Sequence, residues 1–312
     1  MKAILLGLSL LPLVAFAGEK IDKQMEVPNK GLIFIENQRG DISITGWDKN
    51  EFKVSGVLDD KAQGYELKTS GDKTQFIVKM PHTTSWDNND GGSKLTIFMP
   101  KSSALEFAGV NVSVTAKELH NGVEVDVVNG EITASDLVGN IKLTSVNGDV
   151  NAQNLNGNIQ FETVNGEIND KQSSGELRFS AVNGDIKSNS IATDVRLENV
   201  NGDIKFTLSS IKNLRINTVN GEAEVRIKDL LKGGDVRFES VSGDAEFFFP
   251  ADVSAKFEIE AHANGKIINE LSGDKVQKAK YGPASDLEFS INGGNANVEM
   301  DTISGRIELR KK

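Results

Sequence analysis

The chain has 312 residues, contains no cysteine and carries a formal net charge of −10 at pH 7. The absence of cysteine excludes disulfides, thiolate metal sites and cysteine nucleophiles. The acidic balance argues against binding of nucleic acid or anionic lipid, because both partners need clustered Lys and Arg. Phe outnumbers the other aromatic residues, with 15 Phe against two Trp and two Tyr, which suits an apolar core better than a sugar-stacking surface.

The first residues predict a secretory signal peptide. Lys2 is followed by an apolar run over residues 3–14 and by Ala15-Phe16-Ala17, a small-x-small cleavage site. We therefore expect residues 1–17 to be removed and the protein to be exported by a bacterium. The periplasm is the expected compartment, with the cell surface and secretion as alternatives. No later segment is apolar over the length that a membrane-spanning helix needs, so no membrane span is expected after cleavage.

Residues 18–119 alternate polar and apolar side chains in short runs, such as 32–36 and 94–100. Such alternation is typical of strands. We predict that this region forms a less regular β cap over the first coil of a solenoid, because an open solenoid end exposes a strand edge.

A repeat of the form Val-Asn-Gly-acid-aliphatic occurs five times between residues 128 and 204, with its glycines 18 residues apart. A fixed short period indicates stacked coils. Further glycines lie midway between these, at Gly139, Gly157 and Gly175, so each coil should contain two short strands and two tight corners. A ladder of Asn-Gly hairpins is the alternative. It is disfavoured because it leaves the aligned apolar pairs, such as Ile141/Leu143 and Ile159/Phe161, without an explanation.

The period therefore predicts an all-β fold, a parallel β-solenoid with coils of about 18 residues, regular over residues 120–250 and looser over 251–312. The whole of 18–312 is expected to be one domain. Glycine at each corner is expected to adopt positive φ, and the asparagines before the glycines are expected to bond from coil to coil. This structural corner ladder comprises Asn129, Gly130, Asn147, Gly148, Asn165, Gly166, Asn183, Gly184, Asn201, Gly202, Asn220 and Gly221.

Several motifs along the chain resemble those of the "putative adhesin" family of bacterial β-solenoid envelope proteins. They are the unit Gly40-Asp41-Ile42-Ser43-Ile44 with Gly46-Trp47, the Ile97-Phe98-Met99-Pro100-Lys101 segment, the Val-Asn-Gly repeats, and the closing segments 263–267 and 303–307. The resemblance covers most of the chain after residue 17. It implies a right-handed, β-helix-like fold and an adhesin-like binding role, and it supplies no catalytic residues.

An acidic residue follows each corner glycine and would form a row along one edge of the solenoid. The row comprises Glu131, Asp149, Glu167, Asp185, Asp203, Glu222 and Asp244. A solvated edge is one interpretation, and a weak divalent-cation row is the other, because hard cations bind several carboxylate oxygens. The chain lacks the second glycine and the offset Asp of the calcium-binding nonapeptide repeat.

We expect an exported, non-enzymatic module of the bacterial envelope that is adhesin-like or structural, with no cofactor. Its partner would be an envelope protein or polysaccharide, and the sequence leaves its oligomeric state open. The alternatives are a carbohydrate-active β-helix enzyme and a weak cation-binding surface protein. A row of acids meets the carboxylate spacing of glycosidases without singling out one pair, so no catalytic residue is predicted. The three histidines, His82, His120 and His262, show no metal-ligand spacing.

Overall fold

A computed structural model of the protein describes residues 18–81 and 91–312, and the described segments are strands joined by turns and loops. The predicted signal peptide and His82 lie outside the described residues. None of the described segments forms a helix that could cross a membrane.

The strands fall into three groups along the chain. The N-terminal group is β1 (Lys20–Glu26), β2 (Leu32–Glu36), β3 (Arg39–Trp47), β4 (Glu51–Val57), β5 (Tyr65–Ser70), β6 (Lys73–Val78), β7 (Ser93–Pro100) and β8 (Ala104–Lys117). The central group is β9 (Val123–Asn129), β10 (Ile132–Ser135), β11 (Val138–Asn147), β12 (Val150–Gln153), β13 (Asn156–Asn165), β14 (Ile168–Lys171), β15 (Ser174–Asn183), β16 (Ile186–Ser190), β17 (Asp194–Asn201), β18 (Ile204–Leu208), β19 (Ile211–Asn220), β20 (Ala223–Ile227), β21 (Leu230–Ser240) and β22 (Asp244–Phe249). The C-terminal group is β23 (Ala255–Ala261), β24 (Lys266–Asn269), β25 (Gln277–Lys278), β26 (Ser285–Ile291), β27 (Asn297–Thr302) and β28 (Arg306–Lys311).

The central strands confirm the predicted parallel β-solenoid. Each coil has one long and one short strand, such as β11 with 10 residues and β12 with four. Long strands pair in parallel only with long strands, as β11 does with β9 and β13, and short strands pair with short ones. We call the outer side of β9, β11, β13, β15, β17, β19 and β21 the long-strand face. The outer side of β10, β12, β14, β16, β18, β20 and β22 is the short-strand face.

The core lies between the two sheets and consists of like side chains stacked on like. The predicted pairs of the long strands, from Ile141/Leu143 to Val236/Phe238, are all buried, as are Ile132, Val150 and Ile168 of the short strands. Phe161 stacks on Phe179 at 5.0 Å between ring centroids, and Phe179 contacts Phe206 at 5.3 Å. Alternation of apolar and polar residues therefore puts one face of every strand in the core.

Parallel pairing begins well before residue 120. Strand β8 spans both sheets, because its first half pairs with β9 and its second half with β10. Strands β2 and β3 form a coil that lies between β8 and the strands β6 and β7. Antiparallel strands then close this end, with β5 on β6, β4 on β7, and β1 on β4.

The C-terminal end repeats this arrangement. Strands β27 and β28 lie between the coil β21/β22 and the coil β23/β24, although they follow both in sequence. Antiparallel β26 covers β23, and the short strand β25 pairs with β26. Each end of the solenoid therefore holds one coil that is inserted out of chain order.

The prediction of positive φ at every corner glycine is wrong for Gly166 and Gly184, which lie outside that region, and Gly148 is extended at φ 158°. Another cause requires glycine here. A Cβ atom on Gly166 would lie 2.2 Å from the carbonyl oxygen of Gly148 in the preceding coil, and one on Gly184 would lie 1.9 Å from the oxygen of Gly166. The corner is therefore restricted by backbone packing between coils.

Candidate binding face

A column of basic side chains runs across the long-strand face. Strand register places Arg178, Arg196, Arg215 and Arg237 directly beside one another on four successive long strands. Gln160 and Lys142 continue the column toward the N-terminal end. We call Arg178, Arg196, Arg215 and Arg237 the arginine column.

Acidic residues lie at both ends of the longer column from Lys142 to Arg237, which we call the basic track. Glu124 stands next to Lys142, with 3.6 Å between Nζ and the carboxylate oxygen, and Glu106 follows it. At the other end Glu299 lies beside Arg237, at 3.8 Å, and is followed by Glu258. The basic track is therefore finite and central on the face.

The ion pairs of the arginine column are also concentrated at its ends. Arg237 donates to Asp235 at 2.9 Å, and this hydrogen bond is the main reason why the pKa of Arg237 is raised. Arg178 lies 3.7 Å from Glu176. Arg196 and Arg215, in the centre, make no side-chain hydrogen bond or ion pair with any residue of the described segments.

The arginine column lines a shallow groove of about 500 Å³. The same groove is lined by a parallel column of acids and an amide, which comprises Glu176, Asp194, Asn213 and Asp235. Asn213 donates to Asp194. The groove therefore presents guanidinium donors beside carboxylate and amide acceptors.

The asparagines of the corner ladder bond from coil to coil. Asn147 Nδ2 donates to Asn129 Oδ1 at 2.8 Å, and Asn165 donates to Asn147 at 2.8 Å. The same bond recurs from Asn183, Asn201 and Asn220 to the preceding member. The ladder begins at Asn111, one coil before the predicted set, because Asn129 donates to it at 2.7 Å. Ser242 continues the ladder by donating to Asn220.

The acidic row engages in bonds within the protein. Asp149 Oδ1 accepts the backbone N–H of Glu167 at 2.8 Å, and Asp185 accepts that of Asp203 at 2.9 Å. Asp203 and Asp244 do the same for Glu222 and Arg306. Glu131 accepts from Asn151, and Glu167 from Lys187. These aspartates therefore bond to the N–H of the next coil at the corner.

A cluster that the sequence pattern missed lies on the C-terminal coils. His262 Nε2 is 2.9 Å from Asp301 Oδ2 and 3.6 Å from Glu260 Oε2, and all three side chains are substantially exposed. Within the described residues this is the one group of three such side chains close enough to share an ion, and the acidic row forms none. Asp301 is 39 residues from His262, so only the inserted strand β27 brings them together.

The arginine column was missed for a different reason. Its members are separated by 18, 19 and 22 residues and never form a basic run in the sequence. The signal that could have found it is the third position after each mid-coil glycine, which holds Lys142, Gln160 and Arg178 in turn. Comparison of this position between successive coils reveals a basic cluster that the negative net charge of the whole chain conceals.

The fold and its repeated columns define a parallel β-solenoid that presents extended faces. The chain belongs to the Toastrack DUF4097 family, whose model matches residues 30–280. This match confirms the family resemblance drawn from the motifs. No curated protein matches the chain.

Several solved structures are similar over most of the chain. One is described as a putative lipid binding protein from Parabacteroides distasonis, with 13% identity, coverage of 94% of this chain and 97% of that one, and a TM-score of 0.41. Another is described as a putative adhesin from Parabacteroides merdae, with 10% identity, coverage of 94% and 96%, and a TM-score of 0.39. A third is described as a putative cell adhesion protein from Clostridium sporogenes, with 9% identity, coverage of 94% and 100%, and a TM-score of 0.27. With identities and TM-scores this low, these likenesses carry no argument about this chain.

Proposed function

We propose that the protein is an exported, non-enzymatic module of the bacterial envelope that binds an extended partner along its long-strand face. The observation that supports this is the parallel register of seven long strands from β9 to β21, which shifts only between Ile211 and Asn213 at the start of β19. Such a stack presents the same side-chain slots at the constant strand spacing of about 4.8 Å. A linear polymer or an extended protein segment matches a surface of that kind.

The signal peptide predicted over residues 1–17 supports export, with the periplasm as the proposed compartment. The partner is proposed to be an envelope protein or a polysaccharide. The uniform repeat supports a binding role over an enzymatic one, because catalysis needs one position on the face to differ from its neighbours.

Position-specific photo-cross-linking in the native cells tests this proposal. A photoreactive residue replaces Gln160 on the long-strand face or, as the matched control, Lys187 on the short-strand face. In the periplasmic fraction, we expect adducts with protein or glycan from position 160 and none from position 187.

Equal adducts from both positions, or none from position 160, would contradict binding along the long-strand face. Turnover of an envelope polysaccharide by the purified protein would show that the enzymatic alternative is correct. Recovery of the protein in the cytoplasm would contradict export.

A further inference from the structure

The arginine column places like charges side by side, and its centre has no hydrogen-bond or ion-pair partner among residues 18–81 and 91–312. Cross-strand neighbours with the same charge destabilise a sheet. Yet Arg178, Arg196, Arg215 and Arg237 occupy four successive strands in register, in a chain with a net charge of −10. An external anion would relieve this repulsion.

The position of the column indicates how much of the face the anion covers. Glu124 and Glu299 stand next to the basic track at its two ends and pair with Lys142 and Arg237. Arg196 and Arg215 are left with their donors available. A guanidinium binds a carboxylate with two parallel N–H···O bonds, which favours a planar anion over a point charge. The central pair of arginines is therefore the contact that an anion would use.

The neighbouring column restricts the kind of anion. Glu176, Asp194 and Asp235 line the same groove and would repel a polyanion that offers their carboxylates few hydrogen-bond donors, such as polyphosphate. The same carboxylates, together with Asn213, accept hydrogen bonds from hydroxyl groups. A partner that combines carboxylates with many hydroxyls therefore matches both columns, and a polysaccharide of uronic acids has both.

We propose that the groove over β15, β17, β19 and β21 binds a linear polyuronate that runs along the solenoid axis, with its carboxylates on Arg196 and Arg215. This inference rests on the proposed function and names the chemical class of its partner. Since none of the described residues that line the groove is aromatic, binding depends on charge and hydrogen bonds and is weakened by salt.

Titration with polygalacturonate tests the proposal directly, at low and at physiological salt. We expect the Arg196→Gln/Arg215→Gln double variant to bind polygalacturonate at least tenfold more weakly than the wild type does. We also expect the wild type not to bind fully methyl-esterified polygalacturonate, whose carboxylates are neutralised. The matched control is Lys187→Gln/Lys205→Gln, which removes two in-register charges from the short-strand face and should bind as the wild type does. Thermal melting of both variants verifies that they fold.

Binding of polygalacturonate that is equal in the wild type and the arginine variant, or that persists after esterification, would overturn the assignment. So would tighter binding of polyphosphate or single-stranded DNA, or no binding by the wild type. If polygalacturonate does not bind but position 160 still cross-links in cells, the polyuronate is wrong and the binding module stands. If both experiments fail, both proposals fall.

Discussion

At the scale of single residues, the corner glycines show why a repeat can demand one amino acid at one place. At Gly166, φ lies outside the left-handed region, so conformational freedom is not what requires glycine. The carbonyl oxygen and carbon of Gly148 lie 2.2 Å and 2.6 Å from where a Cβ would be. Each coil packs its corner backbone against the corner of the coil before it.

Replacing Gly166 with Ala should therefore destabilise the protein although no positive φ is involved. The methyl group forces the two coils apart, and overpacking of this kind costs about 1–3 kcal/mol. Urea denaturation measures the effect. Gly273→Ala is the control, because no atom of the described residues, apart from its two chain neighbours, lies within 4 Å of its Cβ position. Equal midpoints for the two variants would show that the corner relaxes freely.

Asp170 is a carboxyl group inside the core, where the neighbouring coils have Ala152 and Ser188 in the same slot. Burial raises its pKa, while hydrogen bonds from Ser173 and Ser188 act in the opposite direction. Because the pKa in the folded state is above that in the unfolded state, the ionised form opposes folding. Its unfavourable contribution vanishes below the unfolded pKa and is complete above the folded one.

We therefore expect Asp170→Asn to be more stable than the wild type at pH 7.5, with the difference shrinking as the pH falls toward the ordinary Asp value of 3.8. The amide keeps the shape and can bond both serines. Urea denaturation at several pH values measures the difference, and exposed Asp252→Asn is the control. A stabilisation that does not change with pH would contradict the role of the charge.

Some corner residues adopt the left-handed backbone conformation, and residue type alone does not predict which ones. At the corners before β9, β11, β13 and β15, the residues Glu118, Asp136, Asn154 and Gln172 have φ of 56–59°. The sequence pattern assigned those corners to Gly139, Gly157 and Gly175, which instead belong to the long strands. No single residue type occupies the left-handed column, so only the 18-residue spacing identifies it. The buried leucines that follow, such as Leu119 and Leu137, could have indicated it.

At the scale of strands, the corner ladder couples each long strand to the next outside the backbone pairing. Asn147 donates to Asn129 and accepts from Asn165, so one side chain links three coils. These amides are exposed, and each bond contributes a modest net free energy of about 0.5–1.5 kcal/mol. The contribution of the ladder to the stability of the fold therefore comes from the number of its bonds.

Asn147→Ala should lower the free energy of unfolding by about 1–3 kcal/mol, because it removes two such bonds. The control is Asn140→Ala on the same strand, since the Asn140 side chain makes no hydrogen bond to another described residue. A double-mutant cycle with Asn165→Ala measures the coupling directly. Additive effects of the two changes would show that the amides act independently.

Much at this scale could be predicted, because strand alternation and the repeat are local. The apolar pairs of the long strands are buried as expected, and the Val-Asn-Gly period gives the register. The faces were harder to predict, because a column such as Arg196 and Arg215 exists only after coils are superimposed. Composition averages over both faces and therefore conceals it.

At the scale of the whole molecule, the two inserted coils decide how the solenoid ends. Strands β27 and β28 pair on both sides, with β21 and β22 on one and with β23 and β24 on the other. The sequence could not predict this, because the repeat states which residues align within a coil and not which coil follows which. The relaxed spacing near Gly243 and Gly265 shows only that the order changes there.

A shortened chain that ends at Gly294 lacks β27 and β28. It should lose order in the two coils that these strands separate, β21/β22 and β23/β24. We expect hydrogen exchange to show faster amides in β21, β22, β23 and β24, while β11 and β13 keep their protection. The control deletes residues 272–282, which removes β25, and should change protection only in its partner β26. Unchanged protection of β22 in the shortened chain would show that the inserted coil is dispensable.

The inserted coil also sets an order of events as the chain is synthesised. Coils from β9 to β22 can stack as each emerges, because every strand pairs with one already made. The coil β23/β24 cannot take its place until β27 and β28 have been made, since these strands lie between it and the coil β21/β22. Docking of the coil β23/β24 therefore waits for β27 and β28, and a product that terminates before these strands would retain an open edge.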